Sequence, residues 1–446
     1  MRFRSRGRTI GLGSALGLTL LLALFGAAPA AAQEGVDSGD TAWMLTASAL
    51  VLLMTPGLAF FYGGLVRRKN VLSILMQCFL CMGLMTVLWV VIGFSLAFGS
   101  DALGGVIGGG DYFLLANLGY DAWDGTGIPA PLFMIFQGMF AIITPALMIG
   151  AFAERMKFSA ICLFMSAWLL VVYAPVCHWV WGGSEGFFGL GGDGALDFAG
   201  GTVVHINAGV SALVAALVLG RRKGYPTHTS PPHNLPFAVL GTGLLWFGWF
   251  GFNAGSAVAA NGSAANAFVV TQVATAAAAA TWGLIDWFRD SKPTLLGVIT
   301  GAVAGLVAIT PACGSVSAIG ALGVGAGASL FAYLAVTWFK SKLGYDDSLD
   351  VFGVHGVAGM WGAVAAGLWA TDMVPGNDAN GLFYGNAGQV AIQLKAVLFT
   401  IVWAAVVSFV LLKIVDLIVG LRVSDDEERI GLDLTDHREN AYTLVD

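Results

Sequence analysis

The chain runs to 446 residues, of which 57% are hydrophobic and 11% charged, and its mean hydropathy is +0.80. That balance lies far from soluble-domain averages and points to a membrane protein. The net charge of −6 carries no basic excess, which argues against nucleic acid as a partner. Glycine, at 62 residues, is abundant enough for transmembrane helices to approach through small side chains.

At the N-terminus, Arg2, Arg4, Arg6 and Arg8 precede an apolar run from Leu16 to Phe25 and the small residues Ala30, Ala31 and Ala32. This is the pattern of a cleaved signal peptide over residues 1–32. An uncleaved extra helix is the alternative, but the run is short for a span.

Beyond it, apolar segments of spanning length recur near 41–66, 71–99, 130–153, 158–182, 197–220, 234–256, 264–288, 294–312, 315–339, 350–371 and 389–420. The predicted fold is therefore an all-α polytopic membrane protein of eleven transmembrane helices within residues 33–420, followed by a polar tail over 421–446. Basic residues cluster after alternate spans: Arg67, Arg68 and Lys69, then Arg155 and Lys157, Arg221 to Lys223, Arg289 and Lys292, and Lys340 and Lys342. The loops at 100–129, 183–196, 257–263 and 372–388 contain none. By the positive-inside rule the mature N-terminus is outside and the C-terminus cytoplasmic.

Two histidines stand inside these spans, each after an aspartate: Asp197 before His205, and Asp350 before His355. Ionisable groups at membrane depth are costly and mark transport or proton-relay work. The fifth span runs inward and the tenth outward. At 1.5 Å per residue His205 lies roughly 12 Å below Asp197 and His355 roughly 7 to 8 Å above Asp350, so the imidazoles meet near the midplane. Five helices followed by five of opposite orientation form an inverted repeat, with the pathway between the halves and one additional helix. This repeat rests on topology and the two Asp/His elements, without strong residue identity between halves.

A second cluster sits at the outer helix ends: Phe136, Phe140, Trp181, Phe252 and Ser256. Aromatic faces attract a partly desolvated cation, and a hydroxyl accepts a hydrogen bond from it. Singly, such residues belong to the interfacial belt or the core. Five cysteines make no disulfide framework, and Cys78 and Cys81 lack the second ligand pair a metal site needs.

Four segments carry a specific resemblance: PGLAFFYGGLVRRKN from Pro56, DFAGGTVVHINAG from Asp197, LLWFGWFGFNAGSA from Leu244 and DVFGVHGVAGMWG from Asp350. From about residue 40 onward the chain resembles the ammonium transporter family, and within it the bacterial Amt branch. The resemblance implies an eleven-helix protomer in the bacterial inner membrane, assembled as a homotrimer with one pore per protomer and no cofactor. It implies an ammonium-recruitment site at Phe136, Phe140, Trp181 and Ser256, and a phenyl gate of Phe140 and Phe252. It also implies a conserved acid at Asp197, twin pore histidines at His205 and His355, and a lining residue at Trp249. The connection between Trp181 and Asp197 is longer than in the family's familiar bacterial members.

Ammonium and potassium are alike in size and charge, but only ammonium has a proton to release. Desolvation beneath aromatic side chains disfavours the charged form, the effect that lowers a buried lysine's pKa. Two neutral imidazoles in contact share a proton and hydrogen-bond to ammonia. Asp197 either holds the field at the deprotonation point or caps the fifth helix. The resemblance to the Amt branch favours net charge movement over passive ammonia conduction of the Rh type.

The tail from Gly420 resembles the family's C-terminal regulatory segment, which implies docking of a cytosolic PII-type signalling protein, such as the GlnK type. The rival readings are a membrane ammonium sensor and a membrane enzyme. For the enzyme, His178, His228, His233 and His437 show no ligand spacing with the pair.

Overall fold

The computed structural model describes residues 35–183, 186–188, 193–227 and 231–442, so the expected signal peptide lies outside the described residues. Eleven helices follow in chain order: α1 (Ser38–Leu65), α2 (Arg68–Phe98), α3 (Ala130–Phe152), α4 (Phe158–Trp181), α5 (Gly201–Leu219), α6 (Leu235–Gly255), α7 (Gly262–Asp290), α8 (Leu295–Ile309), α9 (Ala318–Leu343), α10 (352–369) and α11 (Gly388–Val419). Among the described residues, nine of these are long and apolar enough to cross a bilayer on their own. The other two are α8, at 15 residues, and α10, which opens on a π-helical turn. Two short helices, α12 (Asp425–Ile430) and α13 (Leu432–His437), form the tail.

Helix starts follow local capping chemistry. Asp37 accepts from Asp40 N at 2.8 Å before α1, Asn234 from Phe237 N at 3.0 Å before α6, and Asn261 from Ala264 N at 3.1 Å before α7. Each side-chain oxygen satisfies one of the donors a helix N-terminus leaves unpaired, which matters most where no water replaces it.

The first five helices and the next five form an inverted repeat. α1 packs along α6, and α5 crosses α10 near the centre. At that crossing the backbones nearly touch: a Cβ on Gly209 of α5 would lie 2.2 Å from Gly356 N of α10, so only glycine permits the approach. α3, packed against α1, α2 and α5, is buried along nearly its whole length.

The two ends of the bundle differ in charge. One face carries the basic connections and the tail; there Arg67 pairs with Glu154 at 2.7 Å, and Arg222 bridges Glu154 at 3.3 Å and Asp346 at 2.8 Å. Arg155, fully buried, donates to Ser348 Oγ at 2.6 Å and to Ala151 O at 3.0 Å. Burial pulls the Arg155 guanidinium down to about 10 despite the Asp346 charge. Burial pushes Glu154 up, but the hydrogen bond and charge of Arg67, with the charge of Arg222, outweigh it and hold the carboxyl below its usual range.

The tail is tied to this face and is not a free solvated strand. Glu428 accepts from Lys223 N at 2.7 Å and from Arg422 Nη2 at 2.7 Å, Asp433 accepts from Ser73 N at 2.8 Å, and Leu432 N donates to Asn70 Oδ1 at 2.8 Å. A capping box of Ser424 and Glu427 starts α12. The opposite face carries the long loop 100–129 and the connections without basic residues.

Candidate functional site

α5 and α10 both begin as π-helices, Gly201–Ile206 and Phe352–Val357, and each carries a histidine in that widened turn. π-turns inside helices recur at functional sites because they re-aim side chains. Here they turn the two rings towards one another: His205 Nδ1 and His355 Nδ1 are 3.3 Å apart. The ring centroids are separated by 5.4 Å at 19°, and both side chains are buried. In the neutral state one Nδ1 donates and the other accepts, so the rings hold opposite tautomers. His205 Nε2 is buried without a partner among the described residues.

The histidines line a small internal space of about 10 Å³ together with Leu147, Trp249, Phe252 and Val303. At that size it holds about one water molecule at most. Trp249 stacks on His205 at 5.4 Å and 17°, and its indole N–H is anchored on Thr310 Oγ1 at 2.9 Å.

Towards the loop face the column continues as aromatic rings. Phe252 lies 6.0 Å from His205, Phe140 lies 4.3 Å from Phe252, and Trp181 meets Phe140 edge-on at 5.7 Å. Beyond them opens a cavity of about 670 Å³, lined by Trp181, Asp197, Ser256, Phe133 and Gln137 among others. Phe140 and Phe252 therefore stand between this cavity and the histidine space. Phe136 packs edge-on behind Phe140 at 5.1 Å and is buried; α3 faces the cavity with Phe133 and Gln137 instead. Ser256 Oγ donates to Phe252 O at 2.8 Å, which leaves its lone pairs for an incoming donor.

Asp197 caps α5 with its whole carboxylate. It accepts from the backbone N–H of Gly200 at 3.0 Å, Thr202 at 2.8 Å and Val203 at 3.2 Å, and also from Gly201 N and the Thr202 hydroxyl. Its own carbonyl accepts from Trp181 Nε1 at 2.9 Å, so cap and aromatic rim are one unit. Gly200 makes the turn possible at φ +113°, where a side chain would be strained and would strike Val204.

One sequence pairing is corrected. Asp350, matched above with His355, instead sits at φ +61° and pairs with Lys340 Nζ at 2.6 Å. The residue that caps the His355 turn is Asp347, whose Oδ2 accepts from Phe352 N at 2.7 Å. Asp347 precedes His355 by the same eight positions that separate Asp197 from His205, and Asp350 occupies the place of Gly200. In this register Val204 matches Val354, Ala208 matches Ala358 and Gly209 matches Gly359. The halves thus share residue identities that the sequence reading did not find. Thr310, which anchors Trp249, was also missed; nothing in its local sequence marks it.

A closed bundle of membrane helices in an inverted repeat, with a narrow apolar space and two buried histidines at its centre, defines a membrane transport protein rather than an enzyme. Residues 42–442 match the Ammonium Transporter Family. The chain belongs to that family. It is 50% identical over 426 residues to an ammonium transporter of Aquifex aeolicus, covering 95% of this chain and 98% of the relative. Its fold is similar to the crystal structure of Mep2 from Candida albicans, with a TM-score of 0.84 at 35% identity, covering 92% and 94% of the two chains. It also resembles a structure described as a sensor Amt protein, with a TM-score of 0.81 at 28% identity over 90% and 98%.

Proposed function

We propose that this protein takes NH4+ from the side bearing loop 100–129, strips its proton beneath the aromatic rim and conducts ammonia past the histidines, with net charge crossing the membrane. Ammonium is recruited in the outer cavity by Trp181 and Ser256, with Phe140 beneath them and Phe136 packed behind that ring as its support, and Phe140 with Phe252 forms the gate. The observation that carries this reading is the unbroken order of cavity, phenyl pair and histidine space along one line, with Asp197 at the rim. A dry, ring-closed passage penalises an ion that has no neutral form, which is how potassium is rejected. His205 and His355 carry the proton onward by exchanging it across their Nδ1 contact, one ring accepting as the other donates.

The face with the basic connections and the tail is the cytoplasmic side of a bacterial inner membrane, and residues 1–32 are a signal peptide removed on export. The protomer assembles as a homotrimer, and a PII-type protein of the GlnK kind docks on the tail face. The tail's fixed position beside Lys69, Lys223 and Arg422 supports this, since it presents a shaped surface.

The test is an ammonium pulse applied to proteoliposomes under voltage clamp, with the internal pH followed in parallel. Current that scales with ammonium and is absent with potassium supports the proposal. Ammonia flux without current makes the protein a passive channel. The likeness to a sensor Amt protein raises a signalling role as the second reading, and absence of both flux and current favours it.

A further inference from the structure

The inverted repeat places a second buried carboxyl where the proposed pathway uses none. Asp347 stands eight positions before His355, as Asp197 stands eight before His205, but on the tail face. Its exposure is 1%, and its two oxygens differ: Oδ2 accepts from Phe352 N at 2.7 Å, while Oδ1 has no hydrogen-bond partner among the described residues. Asp197, by contrast, has both oxygens engaged. A buried carboxylate oxygen left without a donor is unfavourable, and a proton on it removes the cost.

The groups that face Asp347 come from every neighbouring element. Lys340 of α9 and Asp350 lie on one side, Arg155 and the phenols of Tyr62 of α1 and Tyr345 on the others. Lys340 is drawn off by Asp350 at 2.6 Å, and Arg155 by Ser348, Ala151 and the Asp346 carbonyl. Among the described residues, no cation is therefore hydrogen-bonded to the free oxygen. Burial, with the Asp350 charge adding and the Lys340 charge opposing, pushes the carboxyl up to about 6, close to the range where a group exchanges protons with cytosol.

We propose that Asp347 is a proton-exchange residue on the tail side of His355, holding the His355 turn through one oxygen and taking up and releasing the transported proton at the other. The step is a proton relay: an N–H bond of the protonated histidine pair breaks and the proton passes along water, an O–H bond forms on the carboxylate, and that O–H bond breaks in turn as water on the tail side takes the proton. This rests on the reading that charge crosses with ammonia.

The experiment compares the parent with Asp347→Asn and Asp347→Glu in oriented proteoliposomes, with ammonium-evoked current read as the pH on the tail side is varied. Asparagine retains an oxygen for Phe352 N but cannot exchange a proton, so the Asn variant is expected to lose current by roughly tenfold and to flatten its tail-side pH profile. The apparent ammonium affinity at the loop face stays unchanged, because the rim is untouched, and the Glu variant keeps a pH inflection. A parental pH profile in the Asn variant overturns the proposal and leaves the charge-transport reading standing. A parent that passes ammonia without current overturns both. Failure of both variants to assemble, judged by gel filtration, reduces Asp347 to a structural cap and also overturns it.

Discussion

His205 and His355 face each other through their Nδ1 atoms at 3.3 Å although they come from helices of opposite direction. The contact exists because both helices open on a π-turn and cross at Gly209 and Gly356. Apart from these rings the internal space is lined, among the described residues, by apolar and aromatic side chains, so no other side chain there has a free hydrogen-bonding group for ammonia. Replacing either histidine by alanine is expected to lower ammonium-evoked current by roughly a hundredfold, the scale of one lost proton-transfer group. Gel filtration of each variant separates this from misfolding. Parental current in both variants would remove the histidines from the mechanism.

Asp197 permits a sharper comparison, because its carboxylate collects backbone donors that no water replaces at this depth. Asp197→Ala orphans those N–H groups, and loss of a helix cap alone costs about 0.5–2 kcal/mol. Asp197→Asn retains an acceptor oxygen but removes the charge. The alanine variant is expected to melt earlier and carry no current. The asparagine variant is expected to melt near the parent while still losing current if the negative charge drives deprotonation. Full activity in the asparagine variant would leave Asp197 a cap alone.

How much of this was legible in the sequence differs between spans and termini. The eleven helices were readable because each is a long apolar run between clusters of basic or turn-forming residues. Their starts were not: α5 begins at Gly201 and not at Asp197, since residues 197–200 form the cap itself. The same local ambiguity misassigned the second acid. Aspartates precede His355 at both five and eight positions, and only the fold shows that Asp347 caps the turn while Asp350 turns away to Lys340. The histidine pair was found from sequence because ionisable groups stand out at membrane depth; Thr310, one hydroxyl among many, did not.

Phe140 and Phe252 stand between the open cavity and the histidine space, with centroids 4.3 Å apart. Phe252→Ala removes a buried ring, at a cost of about 3–5 kcal/mol in stability on core-truncation scales. It also joins the two spaces. Selectivity that depends on dehydration is then expected to weaken, so potassium evokes a current in the variant that it does not evoke in the parent. Undiminished ammonium-over-potassium selectivity would place the barrier elsewhere.

The tail face makes a pH prediction in which two groups of carboxyls act with opposite sign. Glu154 and Asp346 are pushed up by burial, yet Arg67 and Arg222 for the first, and Arg222 with Arg155 for the second, hold them below their ordinary range. Their contribution is present above the unfolded carboxylate pKa and is lost as pH falls through the lower folded value. Asp347 runs the other way: its carboxyl lies at about 6 against an ordinary 3.8, so the folded state holds its proton more tightly than the unfolded chain. Its ionisation therefore costs nothing below about pH 4 and weighs fully above about pH 6, on the order of 3 kcal/mol at most. Asp347→Asn removes that cost and leaves the pairs of Arg67, Arg155 and Arg222 in place. The melting temperature of the Asn variant in detergent, minus that of the parent, is thus expected to rise as pH increases from about 4 to about 6 and to be flat above it. A difference independent of pH would show that Asp347 stays ionised throughout, paired with Lys340 more closely than its free oxygen implies.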